Sequence, residues 1–212
     1  MISGRNAEGL KQAAKELGVR YFLADMSDSE KLELLAKQFG DSGLDVLVNN
    51  AAIANFSPFQ EVEVEELERF FQINFFGAIM LTKNLLSALE KMQGAVVNIS
   101  SIATKIGVQG LSVYVATKGA LEAFSRSLAV ELAPKNIRVS AIAVGATKTP
   151  MFGKELNLSA EKRDVIVEKA EGRVLLKRMA NPIEIVEVIL AQVESKFTTG
   201  AVWTVDGGRS IT

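Results

Sequence analysis

The chain has 212 residues, 48% hydrophobic and 23% charged, with a net charge of −1 and neither cysteine nor histidine. That length fits a single α/β domain over residues 1–212 with a sizeable core, and the missing residue types exclude disulfides, thiol nucleophiles, histidine-based zinc sites and any Ser-His-Asp triad. Interspersed charge gives no footprint for nucleic acid or an anionic membrane; without a transmembrane run or a signal peptide at Met1-Ile2-Ser3-Gly4-Arg5, a cytoplasmic location is expected.

Leu10, Ala13, Ala14 and Leu17 share one face of a helix predicted over Ala7–Leu17, with Gly18 as its stop. Val19–Ala24 reads as a buried strand. Ser27 with Glu30 forms a candidate capping box ahead of Leu32, Leu35, Ala36 and Phe39 at helical spacing. Leu44–Val48 is a short apolar strand ended by Asn49-Asn50. A long helix is predicted over Val64–Lys91, a strand over Ala95–Ile99, a second long helix over Ser112–Ala133 and a strand over Ile137–Val144. Ser159–Ala170 reads as a helix inside a long excursion. Asn181 as N-cap and Pro182 at the first helical position open a helix to about Glu194, and Val202–Val205 is the last strand. This alternation predicts an α/β fold with a doubly wound parallel sheet, functional groups gathering at the carboxyl ends of its strands. Asp25, Asn49-Asn50, Ser100-Ser101 and Gly145 each follow a strand directly.

With no histidine or cysteine, acid–base chemistry must run on Tyr, Lys, Asp, Glu or Ser. Tyr114 and Lys118 form a Tyr-x-x-x-Lys pair near the start of a helix, which places them on one face a turn apart. An ammonium beside a phenol favours the phenolate and brings its proton transfer toward neutral pH. A lone pair of this kind is common on exposed helices, so its neighbours matter. Ser101 ends a strand shortly before Tyr114, and Asn74 lies inside a long helix, where asparagine is a mediocre former and is by itself better explained as a solvated or packing residue.

Taken in order, these features resemble the short-chain dehydrogenase/reductase family. The matching segments are Asn49-Asn50-Ala51-Ala52, Asn74 in INFFG, Ser101 in VVNISS and Tyr114-Val-Ala-Thr-Lys118. Asp25 in LADMSD, Gly145-Ala146-Thr147 with Thr149, and Thr199-Gly200 through Gly207-Gly208 extend the likeness over essentially the whole chain. The resemblance implies a Rossmann-like fold and an NAD(P)-dependent oxidoreductase acting on a carbonyl or secondary alcohol, 3-oxoacyl thioesters included. It implies Tyr114 as general acid/base and Lys118 as the group that lowers the tyrosine pKa and meets the nicotinamide ribose. Ser101 would hold the substrate oxygen, Asn74 would seat a proton path, and Ser100 would be structural. Asp25 and Met26 would flank the adenine, Asn50, Ala51 and Ala52 the ribose, and Gly145, Thr147 and Thr149 the nicotinamide end. It also implies a homodimer or homotetramer through the two long helices, where Ala116, Ala120 and Ala123 leave room for close packing.

One departure is large. The family opens with a strand, a Thr-Gly-x-x-x-Gly-x-Gly turn whose amides meet the pyrophosphate, a helix and a second strand. Met1 falls where that second strand should be ending, so the first βα unit and most of strand two are expected to be missing. The absent strand would lie between Val19–Ala24 and Leu44–Val48. Two repairs are conceivable: Val19–Ala24 moves across to pair beside Leu44–Val48, or a partner chain covers the exposed edge. A gap at that place would exclude both. Cofactor binding is expected to be weakened, and a non-catalytic relative or a fragment that cannot hold cofactor is the alternative reading. Arg5, after Gly4 rather than an acid, points to NADP(H), with a solvated arginine an equal alternative. Thr149 to Lys177, which includes Met151, Phe152, Lys154, Leu156, Leu158, Lys162 and Arg163, would either cover a partly apolar substrate pocket or simply pack as a lid.

Overall fold

Local chemistry decides where the elements begin and end. The computed structural model describes residues 1–40, 42–152 and 160–212. Strand β1 (Ile2–Gly4) leads into helix α1 (Ala7–Leu17). Asn6 caps α1 by accepting from the Gly9 N–H, and Gly18 ends it at φ 65°, a left-handed conformation open to a residue without Cβ. Strand β2 (Tyr21–Leu23) is shorter than predicted and is not buried: Tyr21 and Leu23 are exposed, and Ala24 just beyond is the residue that packs inside. Helix α2 (Ser29–Lys37) is capped by Asp28, which accepts from the Lys31 N–H at 3.0 Å. The Ser27–Glu30 capping box does not form, because the Ser27 hydroxyl donates to Asp25 Oδ1 at 2.7 Å instead.

Strand β3 (Val46–Asn49) follows. The single long helix expected over Val64–Lys91 is broken into α3 (Val64–Phe71), a π-helical turn over Gln72–Phe76, α4 (Gly77–Asn84) and α5 (Leu86–Met92). Apolar periodicity runs through both breaks, so the sequence pattern does not reveal them. Next come β4 (Ala95–Ser101), α6 (Ala103–Ile106), α7 (Ser112–Leu132) and β5 (Arg138–Val144). Helices α8 (Ala160–Arg173) and α9 (Pro182–Glu194) precede β6 (Val202–Val205). The α9 start is as predicted: the Asn181 N–H donates to Glu184 Oε2 at 2.7 Å, and Pro182 takes the first turn. Lys154, Leu156 and Leu158 lie outside the described residues, as do the side chains of Phe152, Lys162 and Arg163. Among the described residues no helix is long and apolar enough to cross a membrane.

The architecture is Rossmann-like, with every strand pairing parallel. It is not one sheet. Strands β3-β4-β5-β6 form a four-stranded sheet in that order, while β1 and β2 form a separate pair. Val19–Ala24 therefore does not move beside Leu44–Val48. The α1 crossover returns β2 onto β1, where Ile2, Ser3 and Gly4 meet Tyr21, Phe22 and Leu23 in register. A gap in the hydrogen-bond ladder stands between the two sheets, and the repair by strand movement is set aside with it.

Side-chain packing joins what the ladder does not. Ala24, Leu32 and Leu35 from the β2–α2 side share a core with Leu47, Leu81, Leu85, Leu89, Val96 and Val139. The loop after β2 also closes onto the start of α4. A Cβ at Gly77 would collide with the Met26 carbonyl oxygen and stand 2.8 Å from Met26 Cβ. Gly77→Ala must therefore push the Met26 loop off α4. The expected cost is about 1–3 kcal/mol of overpacking, read as a lower denaturant midpoint, and an unchanged midpoint would show that the two halves are not held by this contact.

Candidate active site

The carboxyl end of β4 and the first turns of α7 bring the principal groups together. Tyr114 is buried in α7 among Ala54 and Phe70, with Ile53, Phe56, Leu111, Val113 and Met151 packed against them. Lys118, one turn later, is 2% exposed; its Nζ donates to the Ile99 carbonyl at 2.6 Å and lies 5.9 Å from the Tyr114 ring centroid. Ser101 ends β4 near Tyr114, close enough for its hydroxyl to act on the phenol. Its Oγ accepts from the Ala103 N–H at 3.2 Å, which leaves the hydroxyl proton free to donate.

Asn74 sits in the π turn, the kind of local widening that often marks functional positions. Its Oδ1 accepts from the Ile53 N–H at 2.8 Å, and its Nδ2 donates to the Ile53 carbonyl at 2.9 Å and to Thr117 Oγ1 at 3.1 Å. The side chain thus locks the loop after β3 to α7. Thr117 in turn donates to the Tyr114 carbonyl at 2.7 Å.

The electrostatics follow from burial. Desolvation pushes the Tyr114 phenol above its ordinary value of 10.0, and the Ser101 hydroxyl opposes this. The expected lowering by Lys118 is not seen in this geometry, because the ammonium is turned toward the Ile99 carbonyl rather than the phenol oxygen. Burial lowers Lys118 from 10.5 to about 8.

The other expected residues form a rim. Asn50 and Ala51 are exposed just past β3, and Ala52 is half-buried beside them. Thr147 is buried, its hydroxyl donating to the Gly145 carbonyl at 3.1 Å, while Thr149 is exposed. Gly145 is needed for packing: a Cβ there would stand 2.7 Å from Asp206 Cα. Asp25 follows β2, its carboxyl held below the usual range chiefly by the Ser27 N–H, with Arg5 and Arg69 contributing, and Met26 stands next to it. Ser100, the other serine at this strand end, is buried, its hydroxyl donating to Glu122 Oε1 at 2.6 Å. Thr117 and Glu122 were missed from sequence. Glu122 stands at i+4 from Lys118, and that spacing was the available signal.

A family model described as enoyl-(acyl carrier protein) reductase matches residues 1–210. The chain belongs to the short-chain dehydrogenase/reductase family. It is 38% identical to a cyclopentanol dehydrogenase of Comamonas sp. (strain NCIMB 9872) over 78% of this chain and 65% of that protein, so it spans just under two thirds of that relative's length. It is 32% identical to a 3-oxoacyl-[acyl-carrier-protein] reductase of Aquifex aeolicus (strain VF5), over 98% of this chain and 86% of that one. A solved short chain dehydrogenase/reductase family protein superposes with a TM-score of 0.86 at 31% identity, covering 100% of this chain and 86% of the other. Relatives in this family are oxidoreductases that use nicotinamide cofactors on small carbonyl or alcohol substrates, and they are commonly oligomeric.

The donor set fits one end of such a cofactor. An ammonium, a phenol, a serine hydroxyl and the exposed Asn50-Ala51 segment suit ribose hydroxyls and a carboxamide. Residues 1–212 hold no Thr-Gly-x-x-x-Gly-x-Gly turn of the kind that meets a pyrophosphate.

The buried amine makes stability depend on pH. The folded chain holds the Lys118 proton less tightly than the unfolded chain, so the cost of burying the charge is complete below about pH 8 and is relieved as pH rises toward 10.5. Lys118→Met is expected to be more stable than the parent at pH 7 by on the order of 1–3 kcal/mol, after allowing for the lost hydrogen bond to Ile99. Its advantage should shrink from about pH 8 upward in parallel denaturation series. An advantage independent of pH would show that burial does not lower the Lys118 pKa in the fold.

Proposed function

We propose that this chain is an NADP(H)-dependent oxidoreductase acting on a partly apolar carbonyl compound or its secondary alcohol, with 3-oxoacyl thioesters within the class. The observation that carries the reading is the buried Tyr114 on α7 with the Ser101 hydroxyl at the end of β4 acting on its phenol and Lys118 buried one turn later. The apolar wall of Ile53, Phe56, Leu111, Val113 and Met151 around Tyr114 supports a substrate with an apolar flank. Arg5 acts electrostatically on Asp25, so both border the place an adenine ribose would take, and the cation there supports NADP(H) over NAD(H).

In this reading the nicotinamide, when bound, supplies or accepts the hydride. Tyr114 gives its phenolic proton to the substrate oxygen during reduction and takes it back during oxidation. Ser101 donates a hydrogen bond to that same oxygen and steadies the charge that develops there. Lys118, with a pKa of about 8, would hold the ribose hydroxyls of a bound cofactor, bringing its ammonium toward the Tyr114 phenol. Asn74 keeps the Ile53 loop and α7 in register so that the pocket wall and Tyr114 move together. The exposed Val64, Phe76 and Val130 on α3, the π turn and α7, with Ala116 and Ala123 also outward, support a homo-oligomer through these elements.

Titration of the purified chain with NADPH and NADH, followed by a carbonyl-substrate screen, tests the proposal. Saturable binding that favours NADPH is expected, with the preference lost in Arg5→Ala. Tyr114→Phe should lower kcat by about 10²–10⁴-fold, the usual contribution of a general acid, while cofactor affinity stays within a few-fold. Failure to bind either dinucleotide at millimolar concentration would favour the second reading, a relative without cofactor chemistry. The observation that speaks for that reading is the gap between the two sheets.

A further inference from the structure

We propose that Glu122 is a positioning residue for Ser101, holding the turn that follows β4 in register with α7. The proposal rests on the Tyr114–Ser101 pairing above and adds to it a group that touches neither substrate nor cofactor. Glu122 is 9% exposed, one helical turn beyond Lys118. Its Oε1 accepts from Ser100 Oγ at 2.6 Å and from Thr104 Oγ1 at 3.0 Å. The Thr104 hydroxyl also lies 2.8 Å from the Ser101 carbonyl oxygen, and the Ala103 N–H reaches Ser101 Oγ at 3.2 Å. One carboxylate oxygen therefore gathers both hydroxyls that flank Ser101.

Tyr114, Lys118 and Glu122 all stand on α7. Fixing Ser100 and Thr104 to Glu122 fixes the Ser101 hydroxyl against the helix that carries its partner phenol. Among the described residues Glu122 has no ion pair, so its carboxylate is buried on neutral hydroxyls alone. A leucine would fill the space without that desolvation cost; what it would lose is the grip on the turn.

The chain has two tyrosines, Tyr21 and Tyr114, so a Tyr21→Phe background labelled with 3-fluorotyrosine gives one fluorine resonance whose titration reports the Tyr114 phenol without cofactor or substrate. Ser101→Ala should move that titration upward by about half to one pH unit, the worth of one hydrogen bond that the Ser101 hydroxyl can donate once the phenolate forms. Glu122→Leu should produce the same upward shift, the double variant Glu122→Leu/Ser101→Ala no more than either single one, and Glu122→Gln, which keeps an acceptor oxygen, the parent titration. An unmoved titration in Glu122→Leu while Ser101→Ala shifts would overturn the proposal, as would shifts that add in the double variant. No shift in Ser101→Ala itself would overturn the Tyr114–Ser101 reading beneath it, and the proposal with it. Thermal melts confirm folding; if Glu122→Leu does not fold, Ser100→Ala and Thr104→Val each remove one donor and should each give part of the shift, and no shift in either overturns the proposal.

Discussion

Lys118 places an ammonium where almost none of its surface reaches water, and the strand-end carbonyl of Ile99 receives its hydrogen bond. Everything around the candidate site is arranged with respect to that contact. It sets the depth of α7 against β4, and Tyr114 follows because it lies one turn earlier on the same face. Between them, Thr117 binds the Tyr114 carbonyl and receives Asn74 Nδ2, while Asn74 holds both backbone groups of Ile53. A charge buried this way destabilises the fold unless its surroundings are rigid and polar enough to hold it. The polar contacts of Asn74, Thr117, Ser100 and Glu122 supply that rigidity, which is why so many buried polar groups cluster around a strand end in an otherwise apolar core.

A second set of polar contacts runs beneath β3 and β4. Asn49 Nδ2 donates to Thr82 Oγ1 at 3.0 Å and to Asn98 Oδ1 at 2.8 Å, and Asn98 passes the chain to Ser125 Oγ at 2.8 Å. Asn49 Oδ1, in contrast, is buried with no partner. An orphaned acceptor of this kind costs about 1–3 kcal/mol. It belongs to β3, the strand at the open end of the four-stranded sheet. The unpaired edge and the unpaired oxygen are thus two costs carried by one strand, and the shared core around Leu47, Leu81 and Leu85 has to outweigh both.

Much of this was legible in the sequence, and the reasons differ by element. The span of α1, the Asn181-Pro182 start of α9 and the whole of β6 were readable because caps and short β-branched runs act locally. The π turn was not, since a one-residue widening leaves the apolar pattern of Phe70, Ile73, Gly77 and Leu81 unbroken. Ser27 looked like a cap because its spacing to Glu30 is right, but Asp25 competes for its hydroxyl and Asp28 caps one residue later. Tyr114, Lys118 and Ser101 could be named from motif order. The direction in which Lys118 points could not, because it depends on a carbonyl from another element. The two-sheet arrangement was equally hidden: pairing partners are chosen in three dimensions, and β2 had a nearer one in β1 than the sequence argument allowed.

The division into two sheets gives the site an uneven foundation. Ser101, Tyr114, Lys118 and Glu122 rest on β4 and α7, where backbone ladders and buried side chains reinforce one another. Arg5, Asp25 and Met26 rest on β1 and β2, whose only ladder is with each other. The connection between the halves is apolar packing at Ala24, Leu32 and Leu35 and the close approach of Met26 to Gly77. Packing without a shared ladder resists separation but constrains sliding less, since no directional bonds fix its register. A ligand touching both halves would therefore stabilise their mutual placement as well as gain its own contacts, and its affinity would be reduced by whatever ordering that placement requires. Substitutions in the apolar seam can in this way weaken binding from outside the pocket, through the distance between Asp25 and Tyr114 and not through either residue.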